Sequence, residues 1–182
     1  DPASVVELGA VNREAMTGAF LGNVVTRLAA RWIHRRNANT RSGSRQNIHA
    51  HYDLGNSFYR LWLDETMNYS SAWFNGQYDQ PMAQAQMAKV RRALEECQVQ
   101  PGNRVLEIGC GWGGFAETAA RRGMRVTAVT ISKEQLEFAR ARLEHAGLAD
   151  QVDLQFRDYR DIEGQYDHIV SIEMVEAVGE RF

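Results

Sequence analysis

Apolar positions in the second half of the chain recur with two periods, and the two alternate. After a Pro101-Gly102 turn, Arg104–Gly109 (RVLEIG) is a short, nearly continuous apolar run, as a strand buried on both faces requires. A glycine-rich loop follows, then helical spacing over Phe115–Arg122 with Gly123 as its stop. Arg125–Ile131 (RVTAVTI) is β-branched and predicts a second strand. Ser132 with Gln135 three residues on predicts a capping box opening a helix over Lys133–His145, with Gly147 beyond its end. Val152–Phe156 and His168–Ile172 predict strands three and four. Strands alternating with helices at this spacing predict βαβ units, hence an α/β, Rossmann-like fold around a parallel sheet. A parallel sheet buries both faces, so a fourth strand bare at the edge implies either that further strands follow it, the favoured reading, or that another chain covers that edge.

The first part of the chain follows another pattern. Phe20, Val24, Leu28 and Trp32 recur every four residues and form one ridge of a helix, with Arg27, Arg31 and Arg35 as a second ridge beside it. Residues 1–45 carry seven Arg against Asp1, Glu7 and Glu14, so a basic arm precedes an acidic body. Such a face most often packs on a neighbouring domain. A membrane interface, with guanidinium heads reaching phosphates, is the second reading, and nucleic acid the third. Asn37–Arg45 (NANTRSGSR) reads as a linker. The expected organisation is therefore a basic helical arm and linker over 1–45, a helical, aromatic-rich segment over 46–100 and a cofactor-binding α/β domain over 101–182.

Composition narrows the class. With 182 residues, 44% hydrophobic, 3 Pro and 15 Gly, the chain is neither disordered nor collagen-like. Cys97 and Cys110 have no second pair with which to build a zinc site, and a reducing, cytoplasmic setting is expected. No apolar run approaches the ~20 residues of a membrane span. The chain opens on Asp1-Pro2 and closes on Arg181-Phe182, and reads as a piece of something longer.

The chemistry lies in Glu107-Ile-Gly109-Cys110-Gly111-Trp-Gly113-Gly114, between a strand and a helix, where α/β folds bind ligands. The glycines fit G-x-G-x-x-G, which also suits dinucleotides. Two details favour S-adenosylmethionine over a nicotinamide dinucleotide. Glu107 stands at the strand end, where it can hold an ammonium group. The end of strand two, Val129-Thr130-Ile131-Ser132, lacks the acid a dinucleotide ribose wants. A plain structural turn is the remaining reading, although a turn needs no such set of glycines.

Five motifs, HYDLGNSFY (51–59), MNYSSAWF (67–74), VLEIGCGWGGFA (105–116), VTISKEQ (129–135) and SIEMVEAVG (171–179), resemble the cyclopropane-fatty-acyl-phospholipid synthase family, which includes the mycolic acid cyclopropane synthases. They run in the family's order over residues 47–182. The resemblance implies that Tyr69 and Ser70 close over the methionine part of S-adenosylmethionine and that Glu107, Gly109, Cys110, Gly111 and Gly113 form its loop. It places Thr130 and Gln135 at ribose and adenine, Asp158 and Tyr159 at adenine, and Glu176 beside a bicarbonate ion. Ser71 stands where the family often has Cys, and its hydroxyl can still donate to bicarbonate. Two further bicarbonate contacts of the family, a His and a Tyr, would follow Phe182.

Similar enzymes add a methylene across a cis double bond of a phospholipid acyl chain. The resemblance therefore implies alignment of an alkene with the sulfonium methyl, aromatic walls that exclude water from a cation, and a base, bicarbonate in the family, that removes a proton. Phe58, Tyr59, Trp62 and Trp73 are each candidates for core or tunnel. Glu173 competes with Glu176, and only the motif separates them. Expected partners are phospholipid acyl chains at the inner leaflet, with no nucleic acid and with a homodimer left open. The rival readings are a fatty-acyl C-methyltransferase of the same family and a cofactor- or membrane-binding piece that is inactive alone.

Overall fold

The computed structural model describes residues 2–12 and 55–174. The basic ridge of residues 20–35, the linker 37–45, the first residues of HYDLGNSFY and Glu176 lie outside the described residues. The chain forms two compact units, Asp1–Gly43 and Ser44–Phe182. In the first, α1 (Pro2–Val11) begins with proline in the first turn, where a missing N–H costs nothing. It closes on Asn12, which donates its backbone N–H and its side-chain amide to the Leu8 carbonyl.

The second unit contains α2 (Gly55–Tyr59), α3 (Met82–Glu96), β1 (Arg104–Ile108), α4 (Gly114–Arg121), β2 (Arg125–Thr130), α5 (Lys133–His145), β3 (Val152–Phe156) and β4 (His168–Val170). The strands form one parallel sheet in the order β3-β2-β1-β4. Its register places Val105, Glu107, Val126, Ala128, Val152 and Val170 on one face. That face packs on Val90 and Leu94 of α3, Phe115, Ala116, Ala119 and Ala120 of α4 and Leu143 of α5, forming the core. Alanine along α4 lets the helix approach the sheet closely. At the β4 edge Ile169, on the opposite face, is 62% exposed.

The alternation read from the sequence is the alternation observed, and α5 and β3 begin and end where the pattern put them. The differences are local. β1 ends one residue early because the N–H groups of Gly109 and Cys110 both turn to the Val129 carbonyl, each at 3.0 Å. β4 stops at Val170 rather than Ile172, and Glu173 then takes a left-handed φ of 50° that no strand accommodates. The capping box is half made: Ser132 Oγ accepts the Gln135 N–H at 3.3 Å, but the Gln135 side chain turns elsewhere. Residues 60–81, between α2 and α3, run as turns and irregular backbone.

Candidate cofactor site

The glycine loop leaves β1 at the carboxyl end of the sheet. Gly109, Gly111 and Gly113 all have positive φ, at 77°, 50° and 82°. Gly113 has a packing reason as well, since a Cβ there would lie 3.0 Å from the Ala139 Cβ of α5. A Cβ at Gly111 would meet nothing within 4 Å, so this part of the loop faces open space.

Glu107 stands on the helix-covered face of β1 and is 6% exposed. The Ala116 N–H at the start of α4 bonds its carboxylate, but Oε2 is buried with no partner among the described residues. Burial raises its pKa from the ordinary 4.5 to about 8, against the opposing effects of the Ala116 N–H and the Arg142 guanidinium. An unsatisfied buried carboxylate oxygen calls for a donor, and a cationic one suits it best. The Cys110 thiol is buried in the core, its pKa pushed well up by burial and then by Glu107. Cys110 therefore serves the loop through its backbone.

At the end of β2, Thr130, Ser132 and Gln135 are bonded to one another, and Ser132 Oγ also donates to Glu134 Oε2 at 3.2 Å. Thr130 Oγ1 donates to Gln135 Oε1 at 3.0 Å and accepts the Ser132 N–H at 3.1 Å. This diverts Gln135 from the reciprocal capping bond and fixes its amide at the end of β2. After β3, the Asp158 carboxylate accepts the Arg160 N–H at 3.0 Å and its guanidinium at 2.6 and 2.8 Å. The neighbouring Tyr159 hydroxyl is buried without a partner among the described residues.

Residues 66–74 form a strap against the loop. Arg142 of α5 holds its start, donating to the Thr66 carbonyl at 2.8 Å while pairing with Glu117. The Asn68 side chain lies against Gly114, where a Cβ would approach it to 3.0 Å. Tyr69, 41% exposed, packs on Tyr59 and Trp62 with centroids 5.5 and 5.2 Å apart. Tyr59 in turn packs on Trp112 of the glycine loop at 5.0 Å. Of the four aromatics weighed as core or tunnel, Tyr59 is buried, Phe58 and Trp62 are exposed, and half-buried Trp73 lies under the Arg92 guanidinium. Ser70 is held from α3: Gln86 donates to its carbonyl at 2.8 Å and Lys89 to its hydroxyl. Ser71 donates its N–H and hydroxyl to Glu173 Oε1 at 2.8 and 2.6 Å.

Tyr69 thus reaches the glycine loop through Tyr59 and Trp112, and Ser71 reaches it through Glu173 and the adjoining Met174, which packs on Gly109. Trp112, Asn56, Gln86, Lys89 and Arg142 were not singled out from the sequence. Only Trp112 carried a signal, a bulky residue inside a glycine loop. Its Nε1 donates to Asn56 Oδ1 at 2.6 Å, tying the loop to α2. Trp112→Phe keeps a ring against Tyr59 but removes this donor, and is expected to cost about 1 kcal/mol in denaturant unfolding. An unchanged midpoint would contradict that role.

A parallel α/β sheet with a glycine loop, a buried acid needing a cation and an aromatic strap defines a cofactor-binding domain of the S-adenosylmethionine-dependent methyltransferase class. A coclaurine N-methyltransferase bound to N-methylheliamine and SAH shares this fold, at TM-score 0.59 and 27% identity, with 63% of this chain and 34% of that one covered. Within the class, the chain belongs to the mycolic acid cyclopropane synthetase family, which it matches over residues 39–182.

Its relatives include the tuberculostearic acid methyltransferase of Mycobacterium tuberculosis, 47% identical over 78% of this chain and 35% of that protein. The cyclopropane-fatty-acyl-phospholipid synthase of Escherichia coli is 45% identical over 71% of this chain and 32% of that one. A mycolic acid cyclopropane synthase complexed with SAH and CTAB aligns with TM-score 0.69 and 32% identity, covering 74% of this chain and 47% of that chain. The chain thus spans about a third of the length of these curated relatives.

Proposed function

We propose that the complete gene product transfers a methyl group from S-adenosylmethionine to a cis double bond of a lipid acyl chain and closes the adduct to a cyclopropane. The observation that carries this reading is the unpartnered Glu107 Oε2 at the end of β1, followed by a loop whose Gly111 faces open space. Glu107 would take the cofactor's ammonium, the loop backbone would approach its amino-acid end, and Gln135 and Tyr159 would offer polar groups to its nucleoside end. The cofactor supplies an electrophilic methyl on a sulfonium centre. The aromatic faces of Tyr59, Trp62 and Tyr69 favour positive charge nearby and displace water from it. The relatives that act on fatty acids and phospholipids support a lipid acceptor.

A second reading, a methyl branch in place of the ring, is favoured by the 47% identity to a tuberculostearic acid methyltransferase. Membrane association rests on the lipid acceptor. Among the described residues no helix is long and apolar enough to cross a membrane.

Bicarbonate does not fit at Ser71. Both Ser71 donors are already taken by Glu173 Oε1. Glu176, the other residue of this chain that the resemblance places beside bicarbonate, lies outside the described residues.

Mass spectrometry of phospholipids from cells expressing the complete gene product tests the function. Ring formation, a gain of CH2 after proton loss, adds about 14 Da to a monounsaturated chain, and a saturated methyl branch, which also takes up a hydride from a separate reductant, adds about 16 Da. Unchanged acyl chains would overturn the proposal.

A further inference from the structure

Beyond the glycine loop, one charged cluster has no task in the chemistry described above. Glu173, Lys89, Ser70 and Ser71 meet where the turn after β4 faces the strap. Both Ser71 bonds fall on Glu173 Oε1, while the side chain is exposed and Oε2 makes no hydrogen bond among the described residues. Partial burial raises the Glu173 pKa, but the two Ser71 bonds and the Lys89 charge outweigh it, so the carboxylate lies below its ordinary range. Lys89 is the cation facing it, and Asp64 is the second acid acting on Lys89. The next residue, Met174, packs on the glycine loop, its sulfur 3.3 Å from the Cβ position of Gly109. Glu173 itself holds a left-handed φ of 50°, strain that persists only where surrounding contacts impose it.

An ionised, positioned carboxylate with one free oxygen, at the ligand end of the sheet and beside the loop, has a use if methyl transfer occurs there. We infer that Glu173 is the proton acceptor of the reaction, taking the place of an added anion. This rests on the proposed methyl transfer to an alkene. In that step a C–C bond forms from the methyl to one alkene carbon as the methyl–sulfur bond breaks, leaving the other alkene carbon cationic. A C–H bond of the new methyl then breaks and its electron pair closes the ring. The proton passes to Glu173 Oε2, and the resulting carboxylic acid returns it to water. A weak base suffices, because the methyl C–H bond, one carbon removed from the cationic centre, donates its electrons into that centre as the ring closes and is strongly acidic. The Ser71 donors keep Oε1 in place and orient Oε2.

The test uses the complete gene product in buffer stripped of bicarbonate, with cyclopropane lipid formation and cofactor affinity both measured. Wild type is expected to retain its rate without bicarbonate. Glu173→Gln should lower kcat by about 10²–10³-fold while cofactor Kd moves by less than about threefold, a split that lost folding would not give. Glu173→Gly should recover rate on addition of formate or bicarbonate, and the isosteric Gln variant carries the test if the Gly variant does not fold. Loss of wild-type rate on removing bicarbonate, or an unchanged kcat in Glu173→Gln, would overturn the inference. A wild type that methylates no lipid would overturn the proposed function itself, and shows that before any substitution is made.

Discussion

Replacing Glu107 by Gln is expected to weaken cofactor binding severely while making the empty fold more stable. The two effects have one origin. The wild-type carboxyl is buried with an unsatisfied oxygen, and its pKa stands at about 8 in place of 4.5. Between these values the folded chain keeps a proton that the unfolded chain has released. Stability therefore falls as pH rises from 4.5 to 8, and levels off above. Gln carries no charge to desolvate. The variant should gain on the order of 1–3 kcal/mol over wild type at pH 8, with the difference narrowing as the pH falls towards 4.5. Binding reverses this preference, because a cationic ammonium favours the ionised carboxylate. Wild-type affinity should rise from pH 6 to 8, one proton should leave on binding near pH 7, and affinity should decline once the ligand amine loses its own proton. The Gln variant should bind at least about 100-fold more weakly, as expected for removing one partner of a buried charge pair. Calorimetry in buffers of differing ionisation enthalpy measures the proton directly. Retained affinity in the variant would detach Glu107 from the cofactor.

Gly113→Ala should be the most damaging conservative change in the loop. Its φ of 82° is unfavourable for any L side chain, and the added methyl would stand 3.0 Å from the Ala139 Cβ and 3.4 Å from its Cα. Neither atom can rotate away, so α4 and α5 must separate. A loss of about 2–4 kcal/mol is expected, combining left-handed strain with overpacking. Adding Ala139→Gly should restore the packing part and leave the strain, which a double-mutant cycle of thermal unfolding resolves. Gly111→Ala is the contrast: its φ of 50° is also left-handed, but a Cβ there meets nothing. It should cost only about 1–2 kcal/mol of stability and act chiefly on ligand affinity. Equal destabilisation by the two would contradict the packing role of Gly113.

These contrasts show where a sequence is readable. The β/α alternation follows from periodicity and punctuation, both local, and the ends of α5 and β3 could be placed to the residue. Glu107 and its glycines were legible because strand, loop and helix adjoin in the chain. The contacts that complete the site are not adjacent. Ser71 meets Glu173 across 102 positions, Arg142 meets Thr66 across 76, and Trp112 meets Asn56 across 56. Periodicity records which face of an element is buried, but not which side chain it meets from a distant segment. Periodicity could not separate Glu173 from Glu176 for this reason, and only the motif did. The strand pattern ran on to Ile172, and only the folded chain shows the turn that brings Glu173 to Ser71.

If the glycine loop and Glu107 hold the amino-acid end of S-adenosylmethionine, a crystal structure of the complete gene product with S-adenosylhomocysteine should show it. The ligand's amino nitrogen should lie within hydrogen-bond distance of Glu107 Oε2, with its amino-acid chain over the bare side of Gly111. Ligand bound elsewhere, or seated in the loop with its amino group turned away from Glu107, would contradict it.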